Sequence, residues 1–158
     1  MGVAVGWARG ASLNWRTAVP QKITKSVKSM VEAAKREIEE IEAADAVKLA
    51  GRPDVVLVDL RDPRELERDG KVPGAFRMTR GMLEFWIDPE SPYFKPIFSE
   101  DKKFVFFCAG GLRSALAAKT AQDMGLKPVA HVLGGFKAWK DAGGPTEPGE
   151  AKKDHGKA

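Results

Sequence analysis

Residues 104–125 read FVFFCAGGLRSALAAKTAQDMG, and the rest of the chain is read outward from them. Phe104, Val105, Phe106 and Phe107 form a continuous apolar run, the pattern of a strand buried on both faces of a parallel sheet. The run ends at Cys108, the only cysteine in the chain. Ala109, Gly110, Gly111 and Leu112 follow as a loop. Arg113 and Ser114 then lead into Ala115, Leu116, Ala118, Ala121 and Met124 at helical spacing, with Gly125 as the C-terminal stop. The thiol is therefore predicted in a strand-to-helix loop.

That placement has chemical consequences. A helix N-terminus carries unpaired N–H groups and a partial positive charge, and loop amides freed by glycines converge into a nest for anions. Such a nest favours thiolate over thiol, and the fixed charge of Arg113 acts in the same direction. Cys108 is expected to be a nucleophile with no need of a neighbouring histidine. The amides of Ala109, Gly110, Gly111, Leu112 and Arg113, with the Arg113 guanidinium, are expected to hold an anionic substrate against the sulfur.

At 158 residues the chain is long enough to bury a core without disulfides or metals. One cysteine makes no internal disulfide, which fits a reducing compartment, and a cytoplasmic location is expected. The net charge is +4, yet residues 1–31 alone carry five basic residues and no acid. The segment 32–144 sums to about −1 and the tail from Pro145 to zero, so the basic excess lies outside the central domain. With no interleaved aromatic and basic stripe, a nucleic-acid partner is not expected, and no stretch suggests a membrane partner.

Outside the central stretch, residues 1–20 lack the apolar core of a secretory signal and read as a flexible N-terminal segment. Ile23, Val27, Met30, Val31 and Ala34 recur at helical spacing, predicting an amphipathic helix within residues 21–37 whose apolar stripe packs on its own domain. Val55–Val58 is a short β-branched run leading into Asp59 and Arg61. Ligands gather at the carboxyl ends of parallel strands, so Asp59 and Arg61 share an edge with Cys108. A buried ion pair or a helix cap that shapes the loop is the expected role for them, ahead of substrate contact, because a carboxylate beside the sulfur would oppose its ionisation. Phe85 and Trp86 read as core or pocket wall. His131, inside the apolar run Val129–Leu133, reads as a satisfied core residue, and no acid or cysteine spacing beside it suggests a metal site or a Cys–His pair. Residues 147–158 read as a disordered tail.

The loop Cys108-x4-Arg113-Ser114 resembles the active-site loop of the rhodanese-like sulfurtransferases. The resemblance extends to Asp59-x-Arg61 after a strand, to the turn Val72-Pro73-Gly74-Ala75, and to the closing pattern Gly134-Gly135, Trp139 and Pro145, all in the family's order. It covers roughly residues 38–146. Lys71 stands where the family usually has histidine, and Ala109 and Gly110 where many members have a cation and a polar residue. The resemblance implies a three-layer α/β fold, a central parallel sheet flanked by helices, with the N-terminal helix as an addition. It implies a thiosulfate sulfurtransferase-like enzyme. Cys108 would take a sulfane sulfur as a persulfide from a small sulfur-containing anion and pass it to a thiol, cyanide or a protein acceptor. Asp59, Arg61 and Ser114 would support the loop from behind. No metal and no organic cofactor is expected, and the chain would be a monomer or a weak homodimer.

Two other readings of the loop stay open at this point. One is a catalytically silent binding or regulatory module, since Arg113 is the loop's only charge. The other is a cysteine-dependent phosphatase or arsenate reductase, although those enzymes place five residues between Cys and Arg and here four intervene.

Overall fold

A computed structural model describes residues 21–149. Ser26 caps the first helix, α1 (Val27–Lys35), by accepting the Ser29 amide. The chain then alternates through β1 (Glu39–Ile41), α2 (Ala43–Leu49), β2 (Val55–Asp59), α3 (Pro63–Asp69) and β3 (Phe76–Arg77). It continues with α4 (Leu83–Ile87), β4 (Lys103–Phe107), α5 (Leu112–Met124), β5 (Val129–Val132) and α6 (Gly135–Asp141). All strand pairs are parallel, in the order β1-β5-β4-β2-β3, which puts β4 in the middle of the sheet. This is the expected three-layer α/β architecture with an additional N-terminal helix.

Alternation along β4 divides the core in two. Phe104, Phe106 and Cys108 pack with Ala117, Ala118 and Ala121 of α5 and with Leu83 and Ile87 of α4. Val105 and Phe107 face the opposite way, toward Ala43 and Ala46 of α2 and Phe136 and Trp139 of α6. Alanines on α5 let its backbone lie close to the sheet, so the helix that begins at the loop is firmly seated. Trp139 closes the far layer, its indole N–H donating to the Pro145 carbonyl at 2.9 Å.

Three details differ from the sequence expectations. Helix α1 turns only Val31 and Ala34 into the protein, while Ile23, Val27 and Met30 stay exposed. A nine-residue helix lying on α5 has room to bury a single narrow stripe. Phe85 is exposed and only Trp86 is part of a cleft wall, beside Arg61, Pro63, Leu66, Arg77 and Thr79, around a space of about 280 Å³. At the other end, Glu147 exchanges backbone hydrogen bonds with Lys71, so the segment expected as tail is tied down at its first residue. The flexible N-terminal segment expected over residues 1–20, and residues 150–158 of the expected disordered tail, lie outside the described residues. Among the described residues, no helix is long and apolar enough to cross a membrane.

Candidate active site

Cys108 is the first residue past β4 and is 1% exposed. The loop reverses at Gly111, whose φ of +103° is strained for any side-chain-bearing residue, and this turn aims the Gly111 amide back at the sulfur. The N–H donates to Cys108 Sγ at 3.1 Å. Helix α5 starts at the next residue with no acid in its first turn, so its partial positive charge is left facing the loop.

The loop is braced from behind by the Gly134-Gly135 turn. The Phe136 amide donates to the Cys108 carbonyl at 2.8 Å and the Lys137 amide to the Ala109 carbonyl at 3.2 Å. Gly135 has φ +60°, and a Cβ there would run into the Cys108 carbonyl oxygen and the Ala109 backbone. The first turn of α6 therefore takes up the loop's carbonyls while the loop's amide turns toward the sulfur.

Arg113, expected to be the loop's free cation, is engaged. Its Nη1 and Nη2 donate to the two carboxylate oxygens of Glu65 at 2.9 and 2.8 Å. The guanidinium holds the Glu65 carboxyl down at about 2, and the carboxylate in turn raises Arg113. Glu65 belongs to the capping box of α3: Asp62 accepts the Arg64 and Glu65 amides, and Glu65 accepts the Asp62 amide. Glu65 and Arg113 lie 48 residues apart, and no local spacing in the sequence joins them.

Of the two structural roles expected for Asp59 and Arg61, they take that of a buried ion pair. The Asp59 carboxylate accepts Arg61 Nε at 3.0 Å and Nη2 at 2.8 Å, and both side chains are almost fully enclosed. Nη2 also donates to the Gly70 carbonyl, and the guanidinium lies 4.0 Å over the Phe136 ring. Among the described residues, Nη1 has no hydrogen-bond partner. This pair ties the end of β2 to the ends of α3 and α6.

Ser114 is fully buried in the first turn of α5, its Oγ 3.6 Å from Cys108 Sγ and 2.9 Å from His131 Nδ1. His131 Nε2 lies 2.9 Å from Glu40 Oε2, which Lys35 approaches at 3.5 Å. His131 is a satisfied buried residue, as read from the sequence, but its two hydrogen bonds lead to Ser114 and through it to the thiol. The missed signal is register: Glu40 pairs with His131 and His131 with Phe106, so all lie across one line of the sheet. Burial lowers the His131 pKa, and the hydrogen bond to Glu40 partly offsets that.

The rhodanese-like domain family matches residues 42–142. A solved structure from Rhodopseudomonas palustris, a protein of unknown function described as a possible tyrosine phosphatase, is 70% identical. It superposes with a TM-score of 0.80 over 82% of this chain and 100% of that one. The polysulfide-sulfur transferase homodimer of Wolinella succinogenes is 32% identical with a TM-score of 0.59, covering 82% of this chain and 90% of that one. The mouse thiosulfate sulfurtransferase/rhodanese-like domain-containing protein 3 is 29% identical over 96 residues, 58% of this chain. The chain spans 61% of that protein's length.

Proposed function

The chain belongs to the rhodanese-like domain family, and from that premise we propose that it is a sulfurtransferase in which Cys108 carries the sulfur. The observation that carries the reading is the Gly111 N–H donating to Cys108 Sγ at 3.1 Å, at the mouth of a helix with no acid in its first turn. That environment stabilises negative charge on sulfur, first on a thiolate and then on a persulfide's outer atom.

The thiolate attacks the outer, sulfane sulfur of a donor. With thiosulfate, the S–S bond to the sulfonate breaks, its electron pair leaves with sulfite, and Cys108 is left as a persulfide anion. In the second half-reaction a thiol or cyanide attacks the outer sulfur of that persulfide and Cys108 leaves as thiolate, giving ping-pong kinetics. The Gly111 amide, which donates to Cys108 Sγ, stabilises the thiolate that leaves in the second half-reaction, and the other amides of residues 109–113 are proposed to hold the donor. The chemistry uses neither metal nor organic cofactor.

Glu65 shapes the choice of donor. With its carboxylate on Arg113, the loop offers a dianion the helix N-terminus and amides but little net cationic charge. Low-charge persulfides and polysulfides are accordingly better donors than thiosulfate. The cleft by Trp86, Arg77 and Thr79, at the same sheet edge, supports an approach path for them. A location in a reducing compartment, the cytoplasm, suits a free carrier thiol.

One observation favours a second reading, hydrolysis of an aryl phosphate: the description attached to the Rhodopseudomonas relative. Against it stand the four-residue spacing of the loop and the carboxylate already occupying Arg113. Both readings are tested by steady-state assays of the same preparation. Thiocyanate formation from cyanide and a sulfane donor, with parallel double-reciprocal lines, supports sulfur transfer. Release of phosphate from an aryl phosphate, with no thiocyanate from any sulfane donor, rejects it.

A further inference from the structure

We propose that Ser114 and His131, backed by Glu40, are the proton relay of Cys108: the thiol proton passes through the Ser114 hydroxyl to His131 Nδ1 as the sulfur becomes nucleophilic. This rests on the reading of Cys108 as the sulfur carrier and adds positioning residues that the loop motif does not contain.

The hydrogen-bond directions follow from what each group can do. A carboxylate only accepts, so Glu40 fixes the proton of the neutral imidazole on Nε2 and leaves Nδ1 as an acceptor. Nδ1 then takes the Ser114 O–H, and Ser114 Oγ is left to accept the Cys108 S–H. Burial keeps His131 neutral, which keeps Nδ1 open as an acceptor. The two bonds at Ser114 can reverse, because a hydroxyl both donates and accepts, while the Nε2–H to Glu40 keeps its direction. When the proton moves, Ser114 takes it from sulfur and gives its own to Nδ1. His131 then donates from Nδ1 to Ser114, and Ser114 donates to the thiolate alongside the Gly111 N–H.

Charge balances within the site. One proton leaves sulfur and one arrives on imidazole, giving a thiolate and an imidazolium whose Nε2–H rests on Glu40. The proton stays on His131 while Cys108 holds the extra sulfur. It returns by the same route when the acceptor takes that sulfur and the thiolate is released. A relay matters here because Cys108 and Ser114 are both at or below 1% exposure, so near neutral pH the thiol proton has an internal acceptor within hydrogen-bond reach and very little contact with water. The charged groups facing His131 are Glu40 from β1 and, behind it, Lys35 from α1; α5 contributes Ser114 and β4 the apolar Phe106. Lys35 opposes the imidazolium and Glu40 favours it, so Glu40 sets the balance.

The test is the rate of Cys108 alkylation by iodoacetamide between pH 5 and pH 10, with thiolate absorbance as a reading free of reagent access. Wild type is compared with His131→Gln, Ser114→Ala and Glu40→Gln, and melting temperatures are recorded alongside. The relay predicts profiles displaced to higher pH, with rates at pH 7 reduced about tenfold or more for His131→Gln and Ser114→Ala. Glu40→Gln should fall between. All should converge with wild type at the alkaline end, where hydroxide replaces the internal base. Profiles that superimpose on wild type would overturn the proposal, as would a uniform loss at every pH that follows the melting temperature. If His131→Gln does not fold, Ser114→Ala and the partly exposed Glu40→Gln carry the same outcomes. Alkylation needs no sulfur donor, so a displaced profile without any persulfide would retire the sulfurtransferase reading and leave the relay standing.

Discussion

The carboxylate of Glu65 and the guanidinium of Arg113 are joined by two hydrogen bonds, 2.9 and 2.8 Å long, that tie the start of α3 to the start of α5. The loop that bends around Cys108 is thereby clamped to a second helix N-terminus. The loop's only cation is balanced before any substrate arrives. Both consequences can be measured.

The first is acid sensitivity. Glu65 is depressed from 4.5 to about 2, so its contribution to stability is complete above pH 4.5 and is lost as pH falls toward 2. With Arg113 40% exposed and screened by water, that contribution is about 1–2 kcal/mol. His131, also depressed, adds a loss that begins below its unfolded value of 6.5, because the unfolded chain takes up the proton more readily. Urea denaturation from pH 7 to pH 3 should show both limbs. Glu65→Gln should lower stability at pH 7 and flatten the limb below pH 4.5, leaving the upper one in place.

The same substitution should change donor preference. Glu65→Gln removes the charge that neutralises Arg113 and frees the guanidinium for a dianion. The KM for thiosulfate should fall about threefold to tenfold, the net worth of about one ordinary hydrogen bond at this partly exposed guanidinium. The KM for a low-charge persulfide donor should move much less. An unchanged thiosulfate KM would show that Arg113 does not face the donor.

A third expectation concerns the brace behind the loop. Gly135→Ala places a methyl group against the Cys108 carbonyl and the Ala109 backbone at φ +60°, and backbone cannot swing aside as a flexible side chain can. Stability should drop by about 2–4 kcal/mol, read as a lower urea midpoint at unchanged slope. Cys108 reactivity should fall with it, because the Phe136 amide holds the Cys108 carbonyl at 2.8 Å.

Asp59 and Arg61 predict an asymmetric result. Asp59→Ala strands an enclosed guanidinium whose Nη1 already lacks a partner among the described residues, and should cost about 3–5 kcal/mol. Replacing both, as Asp59→Leu with Arg61→Met, should recover much of that loss, since two uncharged side chains need no pairing. A double variant no better than Asp59→Ala would mean that the Arg61 contacts with Gly70 and Phe136 matter more than its charge.

Much of this was legible in the sequence. The run Phe104–Phe107, the turn at Cys108 and the alanine-rich helix after it are local patterns, and period and composition place them on a buried central strand and its following helix. The pairing of Asp59 with Arg61 was equally near at hand, two residues apart. What sequence could not supply was contact across the sheet. Glu65 meets Arg113 from 48 positions away, and Glu40 meets His131 from 91, so neither pairing leaves a trace in local spacing. His131 shows the limit most clearly. Its apolar surroundings correctly marked it as buried, yet its partners depend on the β1-β5-β4 register, which only the assembled sheet fixes. Helix α1 packs on its own domain, against α5, as its apolar stripe suggests, but only Val31 and Ala34 are covered while Val27 and Met30 stay exposed.

The central claim is that Cys108 accepts sulfur, and intact mass spectrometry after incubation with a sulfane donor tests it most directly. Wild-type protein treated in turn with thiosulfate and a low-charge persulfide should gain the mass of one sulfur atom. The gain should be absent in Cys108→Ser and reversed by cyanide or a thiol. A wild-type protein that takes up no sulfur from either donor, or a Cys108→Ser variant that takes up as much, would contradict it.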